Sequence, residues 1–574
     1  MEKIRNRSFL IRLGLAAATA ACPAMAFGQD AAPDYVVYDA HVITADGGFT
    51  QKTAFAVRNG LFSLVGDDQA VLATAGPNTK RIDLKGKTVM PGFTDAHIHT
   101  LSAKSLTVDV DLTNVHSIAE LKAAIAARAR TTKPGEWVLT SRGWWPYNFP
   151  EKRNPTKADL DEAAPNNPVM LAVTHFIIVN AAALKAAGIT RDTPDPIGGI
   201  IEKDPKTGEP DGIIFDKAQS LITKLMPKPT GEQEYRGMKE ELRRLNADGV
   251  IAVREMGGNE RDARLFRRLY ANGDLTVRVD FCYNTSAQLP QAELVKQLDA
   301  LGAPGHYLGA GMFRADCIAE ANVDGATGMT AITRQDYPGK PGYRGVVMQS
   351  QAQMNMFTTE VAKRFWRLAV HSSGDAGIDE TLAAFEEANA HTSIVGRRWA
   401  LEHANTLQPD QYDRVKRLGL LIDSQYAHLA EGGKKTLDGL GQARSDQTQR
   451  FKDWLANGLE FSAGSDGPIS YKAKPLYWMY GMVTRKTDWG GSIGPDQGIT
   501  REQAIRSFTI IPARDSFDEQ VRGSIEPGKY ADFVVVADDV MTAPIETVRD
   551  TKVLATVLGG KTVFGDLSQA AAQR

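Results

Sequence analysis

One pattern dominates the middle of this chain: short apolar runs that end in polar residues, separated by stretches with helical spacing. The runs are GVIAVREM, LTVRVDFCYN, RFWRLAVHSSG, RRWALEHANTL, GLLIDSQY and LEFSAGSDG, and LVKQLDALG, GIDETLAAFEEANA and PDQYDRVKRLG stand among the helical stretches. Strand–helix alternation on this scale indicates parallel α/β architecture. So many units in one chain favour a closed (β/α)8 TIM barrel over an open sheet. Both ends read differently. DYVVYDAHVITAD, TAFAVRNGLFSLVG and KRIDLKGKTVM near the start, and YADFVVVADD, TKVLATVLGG and KTVFG near the finish, alternate apolar and polar residues between Gly or Asp-Gly turns. Two strand-rich ends around a long middle predict a small β-sandwich domain built from both termini.

The chain has 574 residues, more than the roughly 250–300 that a single core reaches. The expected division is an export signal over 1–28, the two parts of the β-sandwich over 29–90 and 516–574, and the barrel over 91–515. An insertion at about 110–235, rich in Trp, Pro and turn signals (WWPYNFPEKRNP, PIGGIIEKDPKTGEPDG), is expected near the barrel mouth. The leader reading rests on Lys3, Arg5, Arg7 and Arg12 before a short run of small apolar residues, LGLAAATAACPAMAFG. That run is too short to span a bilayer core of about 30 Å. It predicts a periplasmic or secreted protein with no stable membrane association once the signal is cut; an uncut N-terminal anchor is the alternative, and Sec and twin-arginine export stay open. Lys+Arg 67 against Asp+Glu 69 leaves a net charge of -2, which argues against a nucleic-acid or polybasic membrane partner. Three cysteines supply no disulfide framework, and Cys282 and Cys317, in apolar runs, are expected as free buried thiols.

The histidines carry the chemistry. His97 and His99 stand in VMPGFTDAHIHT; residues i and i+2 of a strand face the same side, so two imidazoles point at one place. Asp95 is placed to brace a ring nitrogen. His371 ends RLAV, His403 ends RRWALE and Asp466 ends LEFSAGS, each where a strand gives way to a loop. In a (β/α)8 barrel that is the C-terminal face, where active sites lie. One such histidine alone reads as a core residue; His-X-His, His, His and Asp on four strand ends read as a metal site. With no thiolate among them, the donors suit Zn²⁺, Mn²⁺ or Fe²⁺. His41, His116, His306, His391 and His428 take the plain reading of solvent or core.

These segments resemble the amidohydrolase superfamily, in particular the large metal-dependent amidohydrolases that include N-substituted formamide deformylase. The matching motifs are PGFTDAHIH, LDEAAPNNPVML with THFIIVNAAAL, VHSSGDAGIDETLAAFEEA, LEHANTL, SAGSDGPI, TREQAIRSFTIIPAR and GSIEPGKYADFVVV, spread over nearly the whole chain after the leader. The resemblance implies two divalent ions, with Zn²⁺ foremost. His97 and His99 would bind the first with Asp466, and His371 and His403 the second. Relatives bridge the ions with a carbamylated lysine in a Lys-x-x-x-Asp-Gly pattern. This chain reads Glu320-Ala-Asn-Val-Asp324-Gly325, which puts Glu320 in that place as a direct bridge; an ordinary loop glutamate, and a single ion, is the alternative. Gly374-Asp375-Ala376-Gly377 stands where relatives read Gly-Asp-Arg-Ala.

The implied activity is hydrolysis of a carbon–nitrogen (amide) bond other than a peptide bond, with a hydroxide between the two ions attacking and Asp466 shuttling the proton. Ester or lactone hydrolysis, or metal-dependent decarboxylation, uses the same site. A catalytically inactive metal- or ligand-binding protein is the reading from another class, and the retained Asp466 argues against it. His175, Trp144, Trp145 and Arg314 are expected to contact a small-molecule amide, aromatic or hydrophobic in character. Tyr147 and Phe149 belong to the same aromatic group, and Tyr477, Trp478 and Tyr480 are expected on the opposite wall. Arg314, Arg254 and Glu255 read equally well as substrate contacts or ion pairs, and His175 with Asn180 matches a His-x-x-x-x-Asn element of the family. Self-association into a homo-oligomer is left open.

Overall fold

The computed structural model describes residues 32–572, apart from 106–109, 111, 113–114, 141–148, 174–175, 227–228, 310 and 468–473. The leader therefore lies outside the described residues. Eight parallel strands form the barrel: β1 (Phe93–Ile98), β2 (Val250–Gly258), β3 (Arg278–Tyr283), β4 (Phe313–Asn322), β5 (Arg367–Ser372), β6 (Ala400–His403), β7 (Leu421–Ser424) and β8 (Ser462–Ala463). Each pairs in parallel with the next. The last gap closes through the segment after β8. There Ser465 N donates to Asp95 Oδ1 at 2.9 Å, Asp466 N to His97 O at 2.9 Å, and His99 N to Gly467 O at 2.7 Å. Only glycine fits at 464, where a Cβ would lie 2.6 Å from the His97 nitrogen. Asp95 thus fixes backbone rather than the ring nitrogen expected of it, taking its N–H groups from His97 and Ser465.

The strands are buried almost throughout, as strands covered on both faces must be. Met256, Cys282, Cys317, Ala319, Ala369 and Ala400 form one apolar cluster. Charged residues are also buried among the strands. Arg367 pairs with Asp280 at 2.9 Å and Asp316 at 3.0 Å, and Arg254 with Glu402 at 3.2 Å and with Asp423. Losing one partner of such a buried pair costs about 3–5 kcal/mol, because the other charge stays behind without water. Cys282 and Cys317 are not free thiols: they form a disulfide. They face each other in the β3–β4 register with Cα atoms 4.3 Å apart, a juxtaposition that no reading of separate strands supplies.

Strands from both ends of the chain build a second sheet of eight strands, spanning Tyr35–Ile43 to Lys80–Pro91 and Phe533–Val536 to Lys561–Gly565. Phe533 pairs with Pro91, one residue before the glycine that leads into β1, so the two ends lock together beside the barrel. The sheet folds over itself. Leu61 bridges to Tyr530, and Phe55, Phe62 and Phe533 meet with ring centroids 5.0–6.1 Å apart. Between β1 and β2, five short strands from Val138–Leu139 to Pro210–Asp216 form a third sheet, whose own core includes Met170, Ile177, Val179, Ile201 and Ile214. Among the described residues no helix is long and apolar enough to cross a membrane.

Candidate metal centre

The C-terminal ends of five strands deliver six side chains to one place. His97 is the last residue but one of β1 with His99 just beyond the strand, Glu320 lies near the end of β4, His371 in β5 and His403 at the end of β6, and Asp466 follows β8. In a regular strand Glu402 and His403 would face opposite sides. The backbone of His403 is left-handed (φ 69°), and so is that of Asp466 (φ 56°), a costly conformation for residues other than glycine. It turns both side chains inward.

Glu320 sits between two groups of imidazoles. Its Oε1 lies 3.2 Å from His371 Nδ1 and 3.0 Å from His403 Nε2, and its Oε2 4.0 Å from His99 Nε2. Asp466 Oδ1 lies 3.1 Å from His99 Nε2 and 3.6 Å from His97 Nε2. Three overlapping sets, His97–His99–Glu320, His97–His403–Asp466 and Glu320–His371–His403, bring donor atoms close enough to share an ion.

The outer contacts of the rings decide where their lone pairs point. His97 Nδ1 donates to Glu402 Oε2 at 2.7 Å, and His403 Nδ1 to Gln425 Oε1 at 2.6 Å. His371 directs Nε2 toward the Gly325 carbonyl, 3.4 Å away. In the neutral form each of these three rings therefore turns an unprotonated nitrogen inward, onto carboxylate oxygens that are also acceptors. Among the described residues, buried His97 Nε2 and Glu320 Oε1 form no aligned hydrogen bond. Acceptors converging on acceptors are reconciled by a cation, so the donor set fits divalent ions of the Zn²⁺, Mn²⁺ or Fe²⁺ kind.

The acid–base balance says the same. Burial would depress the His97 ring, yet Glu320, Asp466 and Glu402 hold its pKa well above the ordinary value. His371 is pushed up to about 9, burial being outweighed by Glu320 and Asp324. Burial would raise both inner carboxylates. Instead His97, His371 and His403 hold Glu320 well below the usual range, and His428, His97 and His99 do so for Asp466. The pocket calls for positive charge.

Supporting residues account for several motifs. Asp324 accepts from Ser373 N (2.9 Å), Gly374 N (2.8 Å) and Ile332 N (2.9 Å), so its carboxylate holds the turn that leads into the helix Asp375–His391. A Cβ at Gly377 would lie 2.5 Å from Asp324 Oδ2, so the helix packs closely against this carboxylate through glycine.

The expected substrate contacts fare differently. His175, Trp144, Trp145 and Tyr147 lie outside the described residues. Phe149 is in the main core, and Asn180 is buried as the N-cap of helix Ala181–Ala187. Arg314 is a correction: it begins β4, six residues before Glu320, or roughly 20 Å along the strand. There it faces Asp280, Asp316 and Asp518. Arg254 also serves an ion pair, and Glu255 accepts from Thr100 and the Leu101 N–H. Trp478 is fully buried. Tyr477 and Tyr480 line a separate cavity of about 630 Å³, none of whose lining residues belongs to the six. Three residues of the site escaped the sequence reading. Glu402, Gln425 and His428 all sit at or just beyond the ends of β6 and β7. His428 Nε2 lies 3.0 Å from Asp466 Oδ2, which corrects its plain assignment; its signal was the strand run ending just before it.

A family model described as "Amidohydrolase family" matches residues 80–564. The chain belongs to the amidohydrolase family. It is a metal-dependent hydrolase of carbon–nitrogen bonds other than peptide bonds. It is 30% identical to N-substituted formamide deformylase of Arthrobacter pascens over 92% of this chain and 97% of that protein. It is 29% identical to the putative amidohydrolase YtcJ of Bacillus subtilis (strain 168), over 85% and 91%. The fold matches an uncharacterized metal-dependent hydrolase from Pyrococcus horikoshii OT3 with a TM-score of 0.69, 22% identity, and coverage of 89% of this chain and 99% of that one.

Proposed function

We propose that the chain is an exported binuclear hydrolase that cleaves N-substituted amides, with formamides of bulky amines as the first class to examine. The observation that carries the binuclear reading is Glu320, whose buried carboxylate lies between the His97–His99 and His371–His403 groups with one oxygen toward each. His97, His99 and Asp466 would hold one ion, His371 and His403 the other, and Glu320 both. Two bound divalent ions would supply Lewis acidity, lowering the pKa of a water molecule and polarising the amide carbonyl. The chain's own residues do the rest. Glu402, Gln425 and the Gly325 carbonyl hold the imidazoles in one tautomer. Asp466 accepts the proton as the attacking water forms its bond to carbon, then returns it to the nitrogen as the carbon–nitrogen bond breaks, giving a carboxylic acid and an amine. His99, with 28% of its side chain exposed, is the most open of the six and marks the side from which substrate enters.

The formamide class is suggested by the deformylase to which the chain is similar. Export is supported by the leader-like residues 1–28 and by the Cys282–Cys317 disulfide, a bond that persists in oxidising compartments. The test is release of formate and amine from a panel of N-aryl and N-benzyl formamides. Turnover that disappears with a chelator and returns with Zn²⁺ or Mn²⁺ is the expected result. A metal-loaded protein that turns over no amide in the panel overturns the proposal.

A further inference from the structure

Asp466 has two oxygens with different neighbours. Oδ1 faces His97 and His99, while Oδ2 lies 3.0 Å from His428 Nε2. His428 comes from the helix that follows β7, and its other nitrogen, Nδ1, lies 3.1 Å from Asn405 Nδ2. Imidazole can donate from either nitrogen, so the direction of this contact has to be set from outside. A chain of buried amides sets it.

The chain starts at the main-chain carbonyl of Gln425, which can only accept. Gln449 Nε2 lies 2.7 Å from it and is therefore an NH2 group. The same nitrogen lies 2.9 Å from Asn405 at the atom placed as Oδ1, which must then accept. Asn405 consequently turns its NH2 group outward, to Thr327 Oγ1 at 2.9 Å and to His428 Nδ1. Nδ1 is left as the acceptor, and the ring proton sits on Nε2, aimed at Asp466 Oδ2. Gln425, Gln449 and Asn405 are buried to 3% exposure or less, so water does not compete for these bonds. Main-chain bonding of Gln449 N to Asn405 O at 2.7 Å and the Arg485 guanidinium on the Gln449 carbonyl at 3.1 Å hold the relay in place. With Nδ1 accepting, the ring carries a single proton.

We infer that His428 is a positioning residue for Asp466: a neutral imidazole locked by the Gln425–Gln449–Asn405 relay as an Nε2–H donor, which fixes the carboxylate so that Oδ1 faces the His97–His99 side. The inference rests on the reading of Asp466 as the proton carrier. It explains why a non-glycine residue with left-handed backbone keeps one side-chain orientation: the carboxylate is tied at Oδ2 by His428, from the helix after β7. It also explains the amide-rich interior beside β6 and β7. In the zinc-loaded enzyme the donor is oriented before substrate arrives, so no reorganisation is needed when the proton moves.

The test uses full-length zinc-loaded protein labelled with nitrogen-15 in histidine. Wild type is compared with His428→Phe, which also assigns the resonance, His428→Gln and Asn405→Asp. In wild type the spectrum shows the His428 proton on Nε2. In Asn405→Asp the carboxylate accepts from Nδ1 and the proton moves there. With formanilide as substrate, His428→Phe and Asn405→Asp lower kcat by roughly 10- to 100-fold, the range set by loss of one charge-assisted hydrogen bond. KM stays within about twofold, as for an interaction used after binding. Zinc content and melting temperature stay near wild type, and His428→Gln, whose amide can still donate, recovers most of the loss. A proton on Nδ1 in wild type, or full kcat in both His428→Phe and Asn405→Asp, overturns the inference. If wild type hydrolyses no formamide, the proton-carrier reading fails on that account, while the tautomer still decides whether the relay exists.

Discussion

Replacing Glu402 by alanine removes a carboxylate that touches no expected substrate, yet two charged groups depend on it. Its Oε2 receives the His97 Nδ1–H at 2.7 Å and its Oε1 lies 3.2 Å from Arg254, with His97 and Glu402 fully buried and Arg254 only 2% exposed. Burial would raise the Glu402 pKa; Arg254 and then His97 hold it below the usual value instead. The variant leaves Arg254 with Asp423 and leaves the His97 ring free to turn. Breaking a buried pair of this kind costs about 3–5 kcal/mol of stability. Loss of the group that orients a ligating imidazole lowers metal affinity by about 10- to 100-fold, or about 1.4–2.8 kcal/mol. Both numbers are measurable: the first by guanidinium unfolding of the metal-free protein, the second by competition against a chromophoric zinc chelator. Glu402→Gln, which retains an oxygen for the His97 N–H, is expected to lose less than the alanine variant in both. Zinc affinity of Glu402→Ala within twofold of wild type would refute the reasoning, since it would mean that the His97 ring is held by something else.

Asp466→Asn is expected to retain at least one of the two proposed ions, since Glu320, His371 and His403 are untouched, while kcat falls by roughly 100- to 10,000-fold, the range for loss of a general acid–base group; single-turnover kinetics on metal-loaded protein checks this, and an active variant removes the proton-carrier role. Glu241, buried in the helix Gly231–Ala247, is pushed up to about 7 by burial despite Arg244. Below about pH 4.5 it is protonated in both folded and unfolded chains. Between there and about pH 7 the unfolded chain gives up the proton first, so folding loses about 3 kcal/mol as the pH rises. Glu241→Gln is therefore expected to stabilise the protein at pH 8 and to change little at pH 4, read from denaturant midpoints at the two values; an equal effect at both would contradict the assignment.

The fold was legible because strand-like and helical patterns alternate along the chain. Apolar runs ending in His, Asp or Asn mark the strand ends, and the β-patterned termini foretell a shared sheet, here joined by Phe533 opposite Pro91. Five of the inner residues, His97, His99, His371, His403 and Asp466, were legible because a strand end in a barrel has one destination; Glu320 was marked only by the resemblance, through its place in the Lys-x-x-x-Asp-Gly pattern. Contacts that depend on register were not. Cys282 and Cys317 are separated by 35 positions and pair only because β3 and β4 lie in one register. Glu402 reads as the outward neighbour of His403 until the left-handed backbone at His403 is known. Arg314 sits in a strand that ends at the site, but at the wrong end of it, and sequence patterning gives no sense of which end of an isolated run a charge will serve. His428 follows its strand by a short loop, and loops place side chains in ways that spacing does not encode.

The account stands on two ions held by His97, His99, Glu320, His371, His403 and Asp466. The most direct measurement is an anomalous difference map at the zinc edge from crystals of the zinc-loaded protein. It predicts two peaks, one bounded by His97, His99 and Asp466 and the other by His371 and His403, with the Glu320 carboxylate reaching both. A single peak, or peaks away from these side chains, would contradict it.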